Sequence, residues 1–299
     1  MWTRATRMMN HEAMSRDVVQ SRRFAQVDVF ASQPVSGNPV AVVVDADGIS
    51  DEQMAAFARW TNLSETTFLL PPTDPHADYR LRIFTPGSEM PFAGHPTLGS
   101  AHAWLAAGGV AAGDDIVQEC GVGLVRIRRT DGRLAFAAPP LSRSGPVADD
   151  TRAEVTAALG VDPQHVLAAE WVINGPRWMV LQLDSAQRVL EVTPDFAALG
   201  DHEVGLVGAH TEATAPDTDV MFEVRAFAPG DGIPEDPVTG SLNAGIAMWL
   251  RGAGLAPSSY VAAQGTVLGR SGRVHVTDDG ENIWIGGEST TVITGSVDL

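Results

Sequence analysis

Apolar and polar positions along this chain alternate between two periods. Residues 24–30 and 39–44 are short runs rich in β-branched and aromatic residues. They read as strands joined by a loop holding Pro34, Gly37 and Asn38. Residues 50–60 switch to helical spacing, with Met54, Phe57 and Ala58 on one face behind a Ser50 cap. Residues 66–70 and 79–85 return to strand. Residues 96–107 predict a helix with Pro96 at its first position, where a missing N–H costs nothing. Strands at 115–119, 124–129 and 134–138 follow as a meander. Residues 137–147 break both periods with Pro, Ser and Gly and read as a linker. Beyond it the pattern predicts a helix at 150–159 and strands near 165–169, 177–183, 204–207 and 220–226. A helix at 237–250 follows, ended by Gly252 or Gly254, and then strands near 260–263, 272–276 and 282–286. Helices 96–107 and 237–250 are the apolar ones, as a helix enclosed by a rolled sheet must be. The fold class is therefore α+β, with curved sheets around central helices.

The pattern also repeats. In segments 82–105 and 225–250, Arg82, Phe84, Pro86 and Gly87 match Arg225, Phe227, Pro229 and Gly230. With a two-residue shortening, His95-Pro96-Thr97-Leu98-Gly99-Ser100 falls on Asp236-Pro237-Val238-Thr239-Gly240-Ser241. A repeat half a chain apart predicts a duplicated, two-lobed fold. The lobes are expected at residues 23–142 and 143–299, with the last strand free to return to the first lobe. Residues 1–22 read as an extension outside the fold: they carry four arginines and no secretory apolar stretch.

Composition narrows the function. The formal charge of −17 over 299 residues argues against nucleic acid or anionic membrane as partner. No apolar run approaches a membrane span. All 20 basic residues are arginine, which excludes a lysine Schiff base and the lysine of a phosphate loop. The one cysteine, Cys120, excludes an intramolecular disulfide and a pair of facing thiols; it makes the cytoplasm the expected compartment. Gly121-Val122-Gly123 lacks the third glycine of a dinucleotide fingerprint. No histidine pair has zinc-site spacing, so no metal or other cofactor is expected.

The candidate chemistry lies at few positions. Glu65 stands between a helix and an apolar strand. Burial there would raise its pKa from about 4.3 toward neutrality and make it a usable base. On local sequence alone it reads first as an exposed turn glutamate or a helix-capping one. His95 is expected just before a helix, near first-turn N–H groups that attract anions. Taken alone it reads first as a packed or solvated loop histidine. Asp236, at the matching place, is a good helix cap or a catalytic carboxylate. Gly94 and Gly240 would let a ligand approach the backbone, and Ser241 offers a hydroxyl in the first turn. Two helix starts facing each other across a pseudo-twofold axis would hold one small carboxylic acid.

Five segments together resemble the PhzF-like family, named for the phenazine-biosynthesis isomerase. They are Asp28-Val29-Phe30 with Gly37-Asn38-Pro39-Val40-Ala41-Val42; Asn62-Leu63-Ser64-Glu65-Thr66; Phe84-Thr85-Pro86 with Pro91-Phe92-Ala93-Gly94-His95-Pro96-Thr97; Glu235-Asp236-Pro237-Val238-Thr239-Gly240-Ser241; and Gln264-Gly265 with Gly269-Arg270. The resemblance implies the diaminopimelate-epimerase-like fold, with the site between two lobes. It implies a cofactor-independent isomerase with Glu65 as general acid/base, His95 and Asp236 supporting it, and Gly240 and Ser241 helping to hold the substrate. A homodimer is expected on the same ground. The alternatives are an epimerase or racemase of a small acid, and an acid-binding protein without turnover.

Overall fold

A computed structural model describes residues 19–299 except Asp131, Pro216 and Thr218. Residues 1–18, most of the expected extension, lie outside the described residues. The first half holds β1 (Ser21–Val29), β2 (Asn38–Val43), α1 (Asp51–Thr61), β3 (Thr66–Leu70), β4 (Tyr79–Phe84), β5 (Glu89–Met90), α2 (Gly94–Ala106), β6 (Ile116–Cys120), β7 (Gly123–Thr130) and β8 (Arg133–Ala137). The second half holds β9 (Arg143–Pro146), α3 (Asp149–Ala158), β10 (Val166–Ile173), β11 (Met179–Leu183), α4 (Ala186–Glu191), α5 (Phe196–Leu199), β12 (Val204–Ala209), β13 (Val220–Ala228), β14 (Ile233–Asp236), α6 (Gly240–Gly252), β15 (Ser259–Gln264), β16 (Gly272–Asp278), β17 (Ile283–Gly287) and β18 (Ser289–Asp298). Among the described residues, no helix is long and apolar enough to cross a membrane.

Both halves use the same wiring. β1–β2 is antiparallel, β2–β3 parallel, β3–β4 antiparallel, β4–β6 parallel, and β6–β7–β8 antiparallel. In the second half β10–β11, β11–β12, β12–β13, β13–β15 and β15–β16–β17 repeat that series in order. Antiparallel β8–β17 joins the two sheets. β18 then crosses to the first lobe and pairs along the whole of β1, as β9 pairs with β10. Each sheet curls around one central helix. Of α2's 13 residues nine are buried, as are nine of α6's 13, so both helices are enclosed on most sides.

The structure corrects the register of the repeat. The sequence pattern set His95 over Asp236. In the fold α2 and α6 start at Gly94 and Gly240, and those two glycines touch. A Cβ on Gly94 would stand 2.8 Å from Gly240 Cα, and one on Gly240 2.9 Å from Gly94 Cα. The pseudo-dyad passes between them. His95 therefore corresponds to Ser241, and Asp236 has no counterpart at a helix start. Asp236 ends β14, and Thr239, not Asp236, occupies the N-cap position of α6. β14 has four residues where its partner β5 has two, so matching by residue identity placed the gap wrongly. Pro96 is likewise the third residue of α2, not the first; its missing N–H is still one of the first-turn groups that have no partner within the helix.

The repeated arginines are structural. Arg225 makes a bidentate pair with Glu235 (2.8 and 2.8 Å) and donates to the carbonyls of Val189 and Val192. Arg82 pairs likewise with Glu89 (2.7 and 2.7 Å) across the matching hairpin and donates to Asp51, but both carboxylates are exposed. Arg225 and Glu235 are 3% and 9% exposed. Breaking the buried pair strands a charge, so Arg225→Ala should cost about 3–5 kcal/mol. Arg82→Ala should cost no more than about 1 kcal/mol. Urea denaturation of the two variants checks the ranking.

The sheet also takes in two residues assigned to the extension, because β1 begins at Ser21. Arg22 is buried and donates to the carbonyls of Asp45 and Asp47. The linker read at 137–147 contains β9.

Candidate active site

The site residues come from loops whose conformations are set locally. Asn62 ends α1 in the left-handed region (φ 54°), its N–H donating to Ala58 O. Asparagine tolerates that conformation, and the chain turns so that Glu65 precedes β3. Asp28 Oδ2 accepts from the backbone N–H groups of Ser36 and Gly37, both at 2.9 Å. That fixes the turn delivering Asn38 to the start of β2. From the other lobe, Arg270 Nη1 donates to Val35 O, Ser271 N to Ser36 O and Arg273 N to Phe30 O. These bonds strap the second lobe across the same turn.

Glu65, His95 and Asp236 are brought together. His95, in the first turn of α2, is 3% exposed and Glu65 is 8% exposed. His95 Nε2 lies 3.3 Å from Glu65 Oε2. Asn38 Nδ2 lies 3.2 Å from His95 Nδ1 and 2.9 Å from Asp236 Oδ1. Thr239 Oγ1 donates to Asp236 Oδ2 at 2.5 Å and accepts from Gln264 Nε2 at 2.9 Å. Gln264 Oε1 accepts from Thr239 N and Asn243 Nδ2. Asn38, Thr239 and Gln264 were not assigned a role from sequence. Each stands in a quoted motif, a polar side chain among buried neighbours, and that placement was the available signal.

Gly94 and Gly240 serve first to let the helix starts touch; their missing Cβ atoms make room for each other's backbone. Ser241, the dyad mate of His95, accepts from Trp178 Nε1 at 3.1 Å through Oγ, and its carbonyl accepts from Asn174 Nδ2 at 3.1 Å. α1, α4 and α5 start under side-chain caps, whereas α2 and α6 have none. Their first-turn N–H groups point toward the meeting place uncapped by side chains. Cys120 ends β6 in neither helix-start segment. Among the described residues, no group of three or more His, Cys, Asp or Glu side chains could hold a metal.

The sequence profile of the phenazine biosynthesis-like protein family matches residues 27–295. The chain belongs to this family. It is 36% identical over 298 residues to antisense-enhancing sequence 1 of Schizosaccharomyces pombe, covering 91% of this chain and 97% of that protein. It is 35% identical over 266 residues to trans-2,3-dihydro-3-hydroxyanthranilate isomerase of Pseudomonas aeruginosa, covering 86% and 91%. A crystal structure of a PhzF-family phenazine biosynthesis protein from Enterococcus faecalis superposes with TM-score 0.76 at 27% identity, over 94% of this chain and 100% of that one. The expected two-lobe, epimerase-like α+β fold is the one found, and the family places the chain among isomerases.

Burial sets the protonation of this family site. It holds His95 far down, at about 3, against a hydrogen bond with the Pro39 carbonyl. Burial pushes Asp236 up to about 6, against hydrogen bonds from Thr239 and Asn38; Glu235 adds to the rise. The two have opposite effects on stability. Between about pH 3 and 6.5 the unfolded chain protonates His95 and the native state does not, so stability is lost as pH falls. Between about pH 4 and 6 the native state holds a proton on Asp236 that the unfolded chain releases, so stability is lost as pH rises. His95→Asn should therefore lose stability as pH rises from 4 to 6. Asp236→Asn should gain it, with slopes up to about 1.4 kcal/mol per pH unit. Denaturant titrations across that range measure both; equal slopes would remove the assignment.

Proposed function

We propose that the protein is a cofactor-independent isomerase that moves a proton on a small carboxylic acid, with Glu65 as general acid/base. The observation that carries this is the Glu65 carboxylate 3.3 Å from the neutral ring of His95, beside two helix starts that lack side-chain caps. The uncapped N–H groups and positive dipole ends of α2 and α6 suit a substrate carboxylate. Ser241 adds a hydroxyl in the first turn of α6. Glu65 takes a proton from a carbon next to the unsaturated or carboxylate-bearing centre and returns it to another carbon. His95 and Asp236 orient the substrate and stabilise charge as it develops.

The relative from Pseudomonas aeruginosa makes trans-2,3-dihydro-3-hydroxyanthranilate the first acid to try, followed by simpler unsaturated carboxylic acids. Each is incubated with the protein in D₂O and followed by NMR. Deuterium at a new carbon with a shifted double bond supports isomerisation. Deuterium at one stereocentre with loss of chirality would replace it by epimerisation. Binding without exchange across the panel would leave an acid-binding protein. The same reading carries a homodimer in the cytoplasm, checked by light scattering, and activity that survives a chelator.

A further inference from the structure

We propose that Asn38 is a positioning residue that links Asp236 of one lobe to His95 of the other and sets which ring nitrogen of His95 presents a proton to Glu65. This rests on the reading of Glu65 as the base. Asn38 is fully buried at the start of β2. Its Nδ2 lies 2.9 Å from Asp236 Oδ1, 2.9 Å from Val238 O and 3.2 Å from His95 Nδ1. Reversing the amide would set its oxygen against a carboxylate and a carbonyl, so chemistry fixes the orientation.

An amide nitrogen carries two hydrogens, and three acceptors stand around this one. Val238 O is a backbone carbonyl with a fixed place. The competition is therefore between Asp236 and His95. When Asn38 donates to His95 Nδ1, that nitrogen keeps its lone pair, and the neutral ring must carry its proton on Nε2. The Nε2–H then lies 3.3 Å from the Glu65 carboxylate and favours its ionised form. When Asp236 takes the hydrogen, Nδ1 is released from Asn38 and can carry the ring proton. Nε2 then turns a lone pair toward Glu65, which disfavours the carboxylate. The ring keeps one proton in both states; only its position differs.

Asp236 is held on its other oxygen by Thr239. Gln264 Nε2 donates to the Thr239 hydroxyl, so the hydroxyl hydrogen is left to point at the carboxylate. The only free variable at Asp236 is thus its hold on Asn38. A proton on Asp236, or a substrate donor engaging it, loosens that hold and turns His95 toward the form that suits a basic Glu65. The other charged groups around the pair are Glu235, neutralised by Arg225, and Glu65 itself.

The test is ¹⁵N NMR of histidine-labelled full-length protein, with the His95 signals assigned by their loss in His95→Asn. Nδ1 and Nε2 shifts identify the tautomer without requiring turnover. In Asp236→Asn, which leaves Asn38 in place, a neutral amide competes less well and the ring should move toward the Nε2–H form. In Asn38→Ala the tautomer should no longer respond to Asp236→Asn. Its kcat should fall roughly 10- to 100-fold from misorientation, with little change in KM. If Asn38→Ala does not fold, Asp236→Asn alone decides. An unchanged His95 tautomer in Asp236→Asn overturns the proposal, as does Asn38→Ala with normal kcat. Retained activity in Glu65→Gln would instead remove the base assignment and leave the tautomer result standing.

Discussion

Glu65→Gln is expected to keep the fold and to lower turnover by roughly 10²- to 10⁴-fold, the range for a lost general base. The amide has the shape of the carboxyl, so packing around this 8%-exposed side chain is preserved. It cannot accept a proton at catalytic pH. With its amide oxygen turned to His95 Nε2, where Glu65 Oε2 stands at 3.3 Å, it keeps the contact while losing the base. Deuterium exchange into the substrate gives the rate, and thermal melting gives the stability control. A variant with near-normal exchange would show that the proton passes through another group, and His95 would be the first to examine.

Gly240→Ala should lower both stability and turnover. The new Cβ would stand 2.9 Å from Gly94 Cα, 3.2 Å from Gly94 C and 3.3 Å from His95 N, all backbone atoms of the opposing helix start. No rotamer relieves that contact, so one lobe must shift against the other. Overpacking of this kind costs about 1–3 kcal/mol. A displacement of about 1 Å between Glu65–His95 and Asp236 should also cost on the order of 10²-fold in turnover, although Gly240 carries no reacting group. Gly252→Ala is the control. It adds the same methyl at the far end of the same helix into open space, and it should cost neither stability nor activity. Equal behaviour of the two variants would mean that the helix starts do not fix the site.

Much of the local structure was legible because burial in this fold leaves a periodic trace. α1 shows the Ser50 capping box and the spacing of Met54, Phe57 and Ala58. α2 and α6 are apolar on nearly every side, which marked them as central helices. β18 was not read as a strand, because its pattern is mostly exposed and rich in Thr and Ser; only pairing with β1 defines it. α4 and α5, at six and four residues, are too short for a helical period to stand out. β9 looked like linker because four residues with Gly and Pro carry no alternation.

Sequence by itself determined that the chain is duplicated, that it lacks the lysine and paired thiols of several mechanisms, and that Glu65, His95 and Asp236 stand in motif segments. Those facts depend on residue identity and spacing, which the chain carries directly. Only the tertiary structure decided that His95 pairs across the dyad with Ser241 and not Asp236. It also decided that the helix-start glycines touch each other and that Asn38 joins the polar groups of both lobes. The reason is distance. Residues 38, 65, 95 and 236 are set ångströms apart by two curled sheets closing on each other, and no periodicity along the chain encodes a contact between lobes.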